Sequence, residues 1–132
     1  MADQDTDTRR PVRVVAVDDQ ASFRELAAAL VASTPGFELV GESPDGESAL
    51  RLVPRLDADM VIVDVRMSGM DGVELADRLR SQDATRVIVL ASTDGLDELA
   101  PLGRACGASA VVSKQWFTPR LLRGLWVAHR RR

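Results

Sequence analysis

The run Met60-Val61-Ile62-Val63 holds no polar residue and gives way at Asp64 to a turn-rich stretch, Val65-Arg66-Met67-Ser68-Gly69-Met70-Asp71-Gly72. A strand that is apolar on both faces must be covered on both, which places it in a sheet sandwiched between helices. Val12-Arg13-Val14-Val15-Ala16-Val17 is a second run of this kind and ends at Asp18-Asp19. Residues 37–40, 87–91 and 110–113 supply three more short strands. The segments between them carry apolar residues at helical spacing: Phe23, Leu26, Ala27, Leu30 and Val31 over 22–33; Ala49, Leu50 and Val53 over 45–56; Val73, Leu75, Ala76 and Leu79 over 73–81. A fourth helix is expected over roughly 96–106, and a last one from Pro119 through Leu121, Leu122, Leu125 and Trp126. Strands alternating with helices predict βαβ units and one parallel sheet, an α/β fold with helices on both faces.

Punctuation supports these divisions. Pro35-Gly36 stops the first helix and Asp45-Gly46 opens the second, which Pro54 weakens or shortens by removing a backbone donor. Asp71 caps the third helix, Pro101 bends or shortens the fourth, and Gly107 ends it. Thr118-Pro119 is a cap followed by proline at the first helical position. Residues 1–10, MADQDTDTRR, have no apolar periodicity and read as a disordered leader before one domain over 11–132. One cysteine, Cys106, supports no internal bridge, and no run of apolar residues is long enough to span a membrane. These features suit a cytoplasmic protein, with no membrane partner. The net charge of −3 is unevenly spread: all twenty acids lie at or before Glu98, against ten arginines, whereas six arginines and Lys114 follow it unopposed. Such a basic end marks either a docking face or the solvent side and last turn of a final helix, where cations meet the negative end of the dipole.

In an open parallel sheet, ligands bind beyond the carboxyl ends of the strands, where the connections change direction. Asp18, Asp19, Asp64, Ser92 and Lys114 all follow strands and converge on that edge. Three clustered carboxylates raise one another's pKa unless a cation lies among them. Hard oxygen ligands at such an edge suit Mg²⁺, usually shared with a phosphate, so the edge points to phosphoryl chemistry.

Val17-Asp18-Asp19, Val63-Asp64 with Met67-Ser68-Gly69-Met70-Asp71-Gly72, Ser92, Gly107-Ala108 and Ser113-Lys114 stand in order at successive strand ends. In this set the chain resembles the receiver domain of response regulators, the phosphoacceptor module of two-component signalling, from Val12 to about His129. The resemblance implies a flavodoxin-like, doubly wound five-stranded sheet of order 2-1-3-4-5. It implies that Asp64 is the phosphoacceptor and that Asp18, Asp19, Asp64 and the Arg66 backbone carbonyl hold Mg²⁺. Lys114 would meet the phosphoryl oxygens and Ser92 would be the switch hydroxyl, with Thr93 the competing candidate. A histidine kinase or phosphotransfer protein would supply the phosphoryl group. The output would be a changed surface of the fourth helix, fifth strand and last helix, facing an unidentified target or a second copy of the chain, without direct nucleic-acid binding. The Met1 start and arginine-ended tail lean toward a stand-alone regulator, the alternative being the receiver part of a DNA-binding regulator.

Departures from the family pattern bear on mechanism. Ser68 replaces the usual proline in the turn after the phosphoacceptor, Val111 falls where an aromatic usually moves with the hydroxyl, and Lys114-Gln115 replaces Lys-Pro, so a cis bond would be strained. Arg66 and Asp94 flank the site and are expected to time loss of the phosphoryl group. A phosphohydrolase would need a carboxylate at Arg66, which argues against turnover of external substrates. A docking module independent of phosphorylation is the remaining alternative. Cys106, Trp116 and Trp126 read as packing residues, His129 as a lone surface group, and the methionines as needing no ligand.

Overall fold

A computed structural model describes residues 10–93 and 106–130. The elements are β1 (Val12–Val17), α1 (Ala21–Ala32), β2 (Phe37–Ser43), α2 (Gly46–Arg55), β3 (Met60–Asp64), α3 (Gly72–Gln82), β4 (Val87–Ser92), β5 (Ala110–Ser113), a 3₁₀ turn (Lys114–Trp116) and α4 (Pro119–His129). The expected fourth helix lies outside the described residues except for Cys106, so α4 here is the expected last helix. The leader likewise lies outside them except for Arg10, whose guanidinium reaches Asp57 at 3.3 Å and Asp59 at 3.5 Å.

The strands pair in parallel in the order β2-β1-β3-β4-β5, as expected. Side chains alternate across each strand, so one sheet sorts its residues into two cores. Val15, Val17, Val61, Val63, Ile88 and Leu90 pack on one face with Ala49 and Val53 of α2 and Leu75, Ala76 and Leu79 of α3. Val14, Ala16, Met60, Ile62, Val87 and Val89 pack on the other with Phe23, Ala27 and Val31 of α1 and Leu122 of α4. The direction of winding changes between β1 and β3, and that boundary positions the site.

Local chemistry explains the element ends. Asp45, Asp71 and Thr118 accept from the amides of Ser48, Glu74 and Leu121, capping α2, α3 and α4, whereas Gln20 makes no side-chain cap at α1. Pro54 lies within the last turn of α2 and cannot donate to the Leu50 carbonyl, four residues back; that carbonyl instead accepts from Gln82 Nε2 at 3.0 Å. A borrowed donor from α3 lets the helix run to Arg55. Strand β2 extends to Ser43, beyond the expected 37–40, because the β1–β2 register slips between Val14 and Val15 and resumes at Gly41. The Lys114-Gln115 bond is trans, as are all peptide bonds among the described residues.

Candidate functional site

Strand β1 stops at Val17 and β3 at Asp64, adjacent strands in parallel register with Val17 opposite Val63. The carboxylates that follow therefore leave the sheet at the same edge. Asp18 is fully buried and Asp64 is 7% exposed, while Asp19 is exposed. Each of the three offers an oxygen within 4.8 Å of the others. Strand β5 ends at Ser113 and delivers Lys114 to the same place: its Nζ lies 2.7 Å from Asp18 Oδ2 and 3.4 Å from Asp64 Oδ1. One ammonium thus bridges the ends of β1 and β3 from a residue 96 positions along the chain from Asp18.

Neighbouring backbone fixes these groups. Asp18 Oδ1 accepts from the Gln20 amide at 2.9 Å, turning the chain into α1. The Val65 amide donates to the Ala91 carbonyl at 3.0 Å, and the Arg66 amide reaches Asp64 Oδ1 at 3.4 Å. Gly72 is dictated by close approach: a Cβ there would stand 2.1 Å from the Asp64 carbonyl oxygen and 2.8 Å from the Val65 Cα. The turn between β3 and α3 also needs Gly69, whose φ of +77° lies in the left-handed region.

Electrostatics follow from this crowding. Burial first, then the Asp18 charge, pushes the Asp64 carboxyl up to about 6, against the pull of Lys114 and the Arg66 amide. Three acids face one lysine, so hard oxygen donors remain in excess of local positive charge, a donor set that fits a divalent metal ion.

The expected residues thus meet, with distinctions. Ser92 is buried at the last position of β4, opposite Ser113 of β5 and one residue past the Ala91 partner of Asp64. Thr93 is exposed. Arg66 is exposed, and Asp94 lies outside the described residues. Val111 is partly buried against the α2–α3 core, filling with aliphatic bulk the place expected for an aromatic. Trp116, expected to pack, is instead 61% exposed, because the 3₁₀ turn that presents Lys114 inward leaves it on the surface. Trp126 and Cys106 do pack against the cores.

Sequence reading missed two contributors. Arg24 donates to the Asp18 carbonyl at 2.6 Å and pairs with Glu42 of β2 at 3.3 Å, tying the β1 end to its neighbour. The Phe23 ring lies under Lys114 Nζ, 4.4 Å from its centroid. Both stand on α1 at ordinary helical positions, Phe23 on the apolar stripe, and only the folded arrangement reveals their partners.

Residues 14–125 match the family model of the response regulator receiver domain. The chain is 40% identical over 116 residues to protein-glutamate methylesterase/protein-glutamine glutaminase 5 of Anaeromyxobacter dehalogenans, covering 85% of this chain and 30% of that protein. It is 29% identical over 117 residues to the nitrate/nitrite response regulator protein NarL of Escherichia coli, covering 89% of this chain and 54% of that one. Among solved structures, the signal receiver domain of NarL from Mycobacterium tuberculosis superposes with a TM-score of 0.81 at 28% identity, covering 91% of this chain and 97% of that chain. The chain therefore spans about a third to a half of the curated relatives named.

Proposed function

The chain belongs to the response regulator receiver domain family, and from that premise we propose that Asp64 is its phosphoacceptor. The supporting observation is the Lys114 ammonium bridging two buried carboxylates at the switch point of the sheet. An Asp64 carboxylate oxygen attacks the phosphorus of a phosphohistidine or a small acyl phosphate. The new O–P bond forms as the bond to the donor's nitrogen or oxygen breaks, and the leaving group departs with its electron pair. With a pKa near 6, Asp64 is mainly ionised and nucleophilic at neutral pH.

Asp18, Asp19, Asp64 and the Arg66 carbonyl would hold Mg²⁺, whose charge offsets that of the phosphoryl oxygens. Lys114 donates to one phosphoryl oxygen and Ser92 to another, so phosphorylation draws the end of β4 inward. The chain does no covalent work beyond Asp64 and turns over no external substrate. The methylesterase activity named for one relative stays with that protein, of which this chain spans 30%.

The donor is a histidine kinase or phosphotransfer protein in the cytoplasm. The output surface comprises β5 and α4, together with the expected fourth helix, which lies outside the described residues, and it meets a protein target or a second copy of the chain. No described helix is long and apolar enough to cross a membrane. Domain limits of 11–132 after a leader fit this reading. Arg66 and Asp94 slow loss of the phosphoryl group; unchanged dephosphorylation in both Arg66→Ala and Asp94→Ala would dismiss that role.

Incubation with Mg²⁺ and acetyl phosphate, read by intact mass, tests the proposal. Wild type gains one phosphoryl group and Asp64→Asn gains none; equal gain by both, or by neither, refutes it. A second reading, docking without phosphorylation, draws on Ser68 and Val111, which replace the family's turn proline and moving aromatic. It predicts target binding that Asp64→Asn and acetyl phosphate leave unchanged.

A further inference from the structure

Among the described residues, Lys114 has three electron-rich side-chain neighbours, and the proposed chemistry engages two of them. Asp18 is a metal-ligand candidate and Asp64 the nucleophile, so a cation and a phosphoryl group would draw both carboxylates away from the ammonium. The third neighbour is the Phe23 ring, 4.4 Å from Nζ. Its attraction for a cation comes from the ring quadrupole and is unaffected by occupancy of the carboxylates.

The ring is well fixed. Phe23 is buried on the core face of α1. Its ring meets that of Phe117 edge-on, with centroids 6.3 Å apart and planes at 68°. Phe117 closes the turn that begins with Lys114, its amide donating to the Lys114 carbonyl at 3.4 Å. One short segment therefore supplies both the ammonium and the clamp on the ring beneath it.

The physical chemistry favours a ring here over the alternatives. A third carboxylate would compete with the phosphoryl group for the ammonium and repel Asp64 further. An aliphatic side chain would desolvate the ammonium and return nothing. An aromatic face gives directed attraction weak enough to yield to a phosphoryl oxygen.

We propose that Phe23 is a positioning residue, its ring a charge-neutral seat that keeps the Lys114 ammonium at the phosphoryl site once metal and phosphoryl groups occupy the carboxylates. The inference rests on the receiver reading. Fluorination of the ring, which withdraws its face charge while keeping its shape, separates this role from packing. The full chain carrying trifluoro- and then pentafluorophenylalanine at position 23 is phosphorylated progressively more slowly by acetyl phosphate, by about two- to thirtyfold for the pentafluoro ring. The melting temperature, recorded for each variant, falls modestly as the contacts with Lys114 and Phe117 weaken, and rates are compared where every variant is fully folded. A rate independent of fluorination overturns the proposal. Independently of phosphorylation, the Lys114 ε-methylene protons are shifted upfield by the ring current, and the shift persists in saturating Mg²⁺. Its disappearance on adding Mg²⁺ also overturns the seat. A wild type that accepts phosphate but shows a flat fluorination series sinks the seat alone, whereas a wild type that accepts none sinks the receiver reading and the positioning role with it.

Discussion

Two carboxylates and one ammonium share the space at Asp64, and their balance makes the fold sensitive to pH. The Asp64 carboxyl is raised from 3.8 to about 6, first by burial and then by Asp18, so it binds its proton more tightly folded than unfolded. A carboxyl shifted in that direction stabilises the fold fully below about pH 3.8 and loses its contribution as pH rises through about 6. Asp64→Asn removes the buried charge while leaving Lys114 its 2.7 Å pair with Asp18. In the metal-free chain this substitution should raise unfolding free energy by roughly 1–3 kcal/mol near pH 8 and by much less near pH 4. Urea unfolding at the two pH values measures it, and equal gains at both would contradict the electrostatic account. The same crowding gives Mg²⁺ a stabilising role: saturating metal should narrow the difference between wild type and Asp64→Asn near pH 8.

Elements matter here through where they stop. The start of α3 presses so closely on the end of β3 that a Cβ at Gly72 would collide with the Asp64 carbonyl. Gly72→Ala should cost about 1–3 kcal/mol, as overpacking does, and also slow phosphorylation, because the strain is relieved at the residue that carries the nucleophile. Urea unfolding together with the rate of phosphoryl gain measures both, and a variant with wild-type stability and rate would show that the approach is slack. Strand and helix order was legible because β1, β3 and β4 are apolar runs bounded by acids, Gly and Pro, and because capping residues announce α2, α3 and α4. The length of β2 was not, since the slip at Gly41 depends on register against β1. Nor was the survival of α2 past Pro54, which depends on a glutamine from α3. Arg80 and Arg86 are further examples of arginines whose roles only the fold discloses. Arg80 donates to the carbonyls of Gly107, Ala84 and Arg86, and Arg86 is buried and donates to the carbonyls of Ala58 and Leu79. In sequence both look like solvated helix or loop charges.

Across the whole molecule, parallel topology does the gathering. The sheet order brings the ends of β1 and β3 side by side at the change of winding, and a lysine from the last strand closes the group from 50 residues beyond Asp64. Sequence predicted that convergence because each site residue follows an apolar run; it missed the Phe23 seat and the Arg24 tie because a helix position carries no mark of what crosses above it. The charge is also divided along the chain: all twenty acids lie in the first three quarters, up to Glu98, and the last quarter carries only bases. Three of those acids, Asp18, Asp19 and Asp64, meet at the candidate metal site, Asp57 and Asp59 pair instead with Arg10, and Arg120 and Arg123 lie exposed on α4. The account stands or falls on one aspartate accepting a phosphoryl group at this edge. Reduction of the acetyl-phosphate-treated chain with borohydride, which converts an acyl phosphate to the alcohol of homoserine, followed by tandem mass spectrometry, locates that group directly. The account predicts homoserine at Asp64, dependent on Mg²⁺; homoserine at Asp18, Asp19 or elsewhere, or none at all, would contradict it.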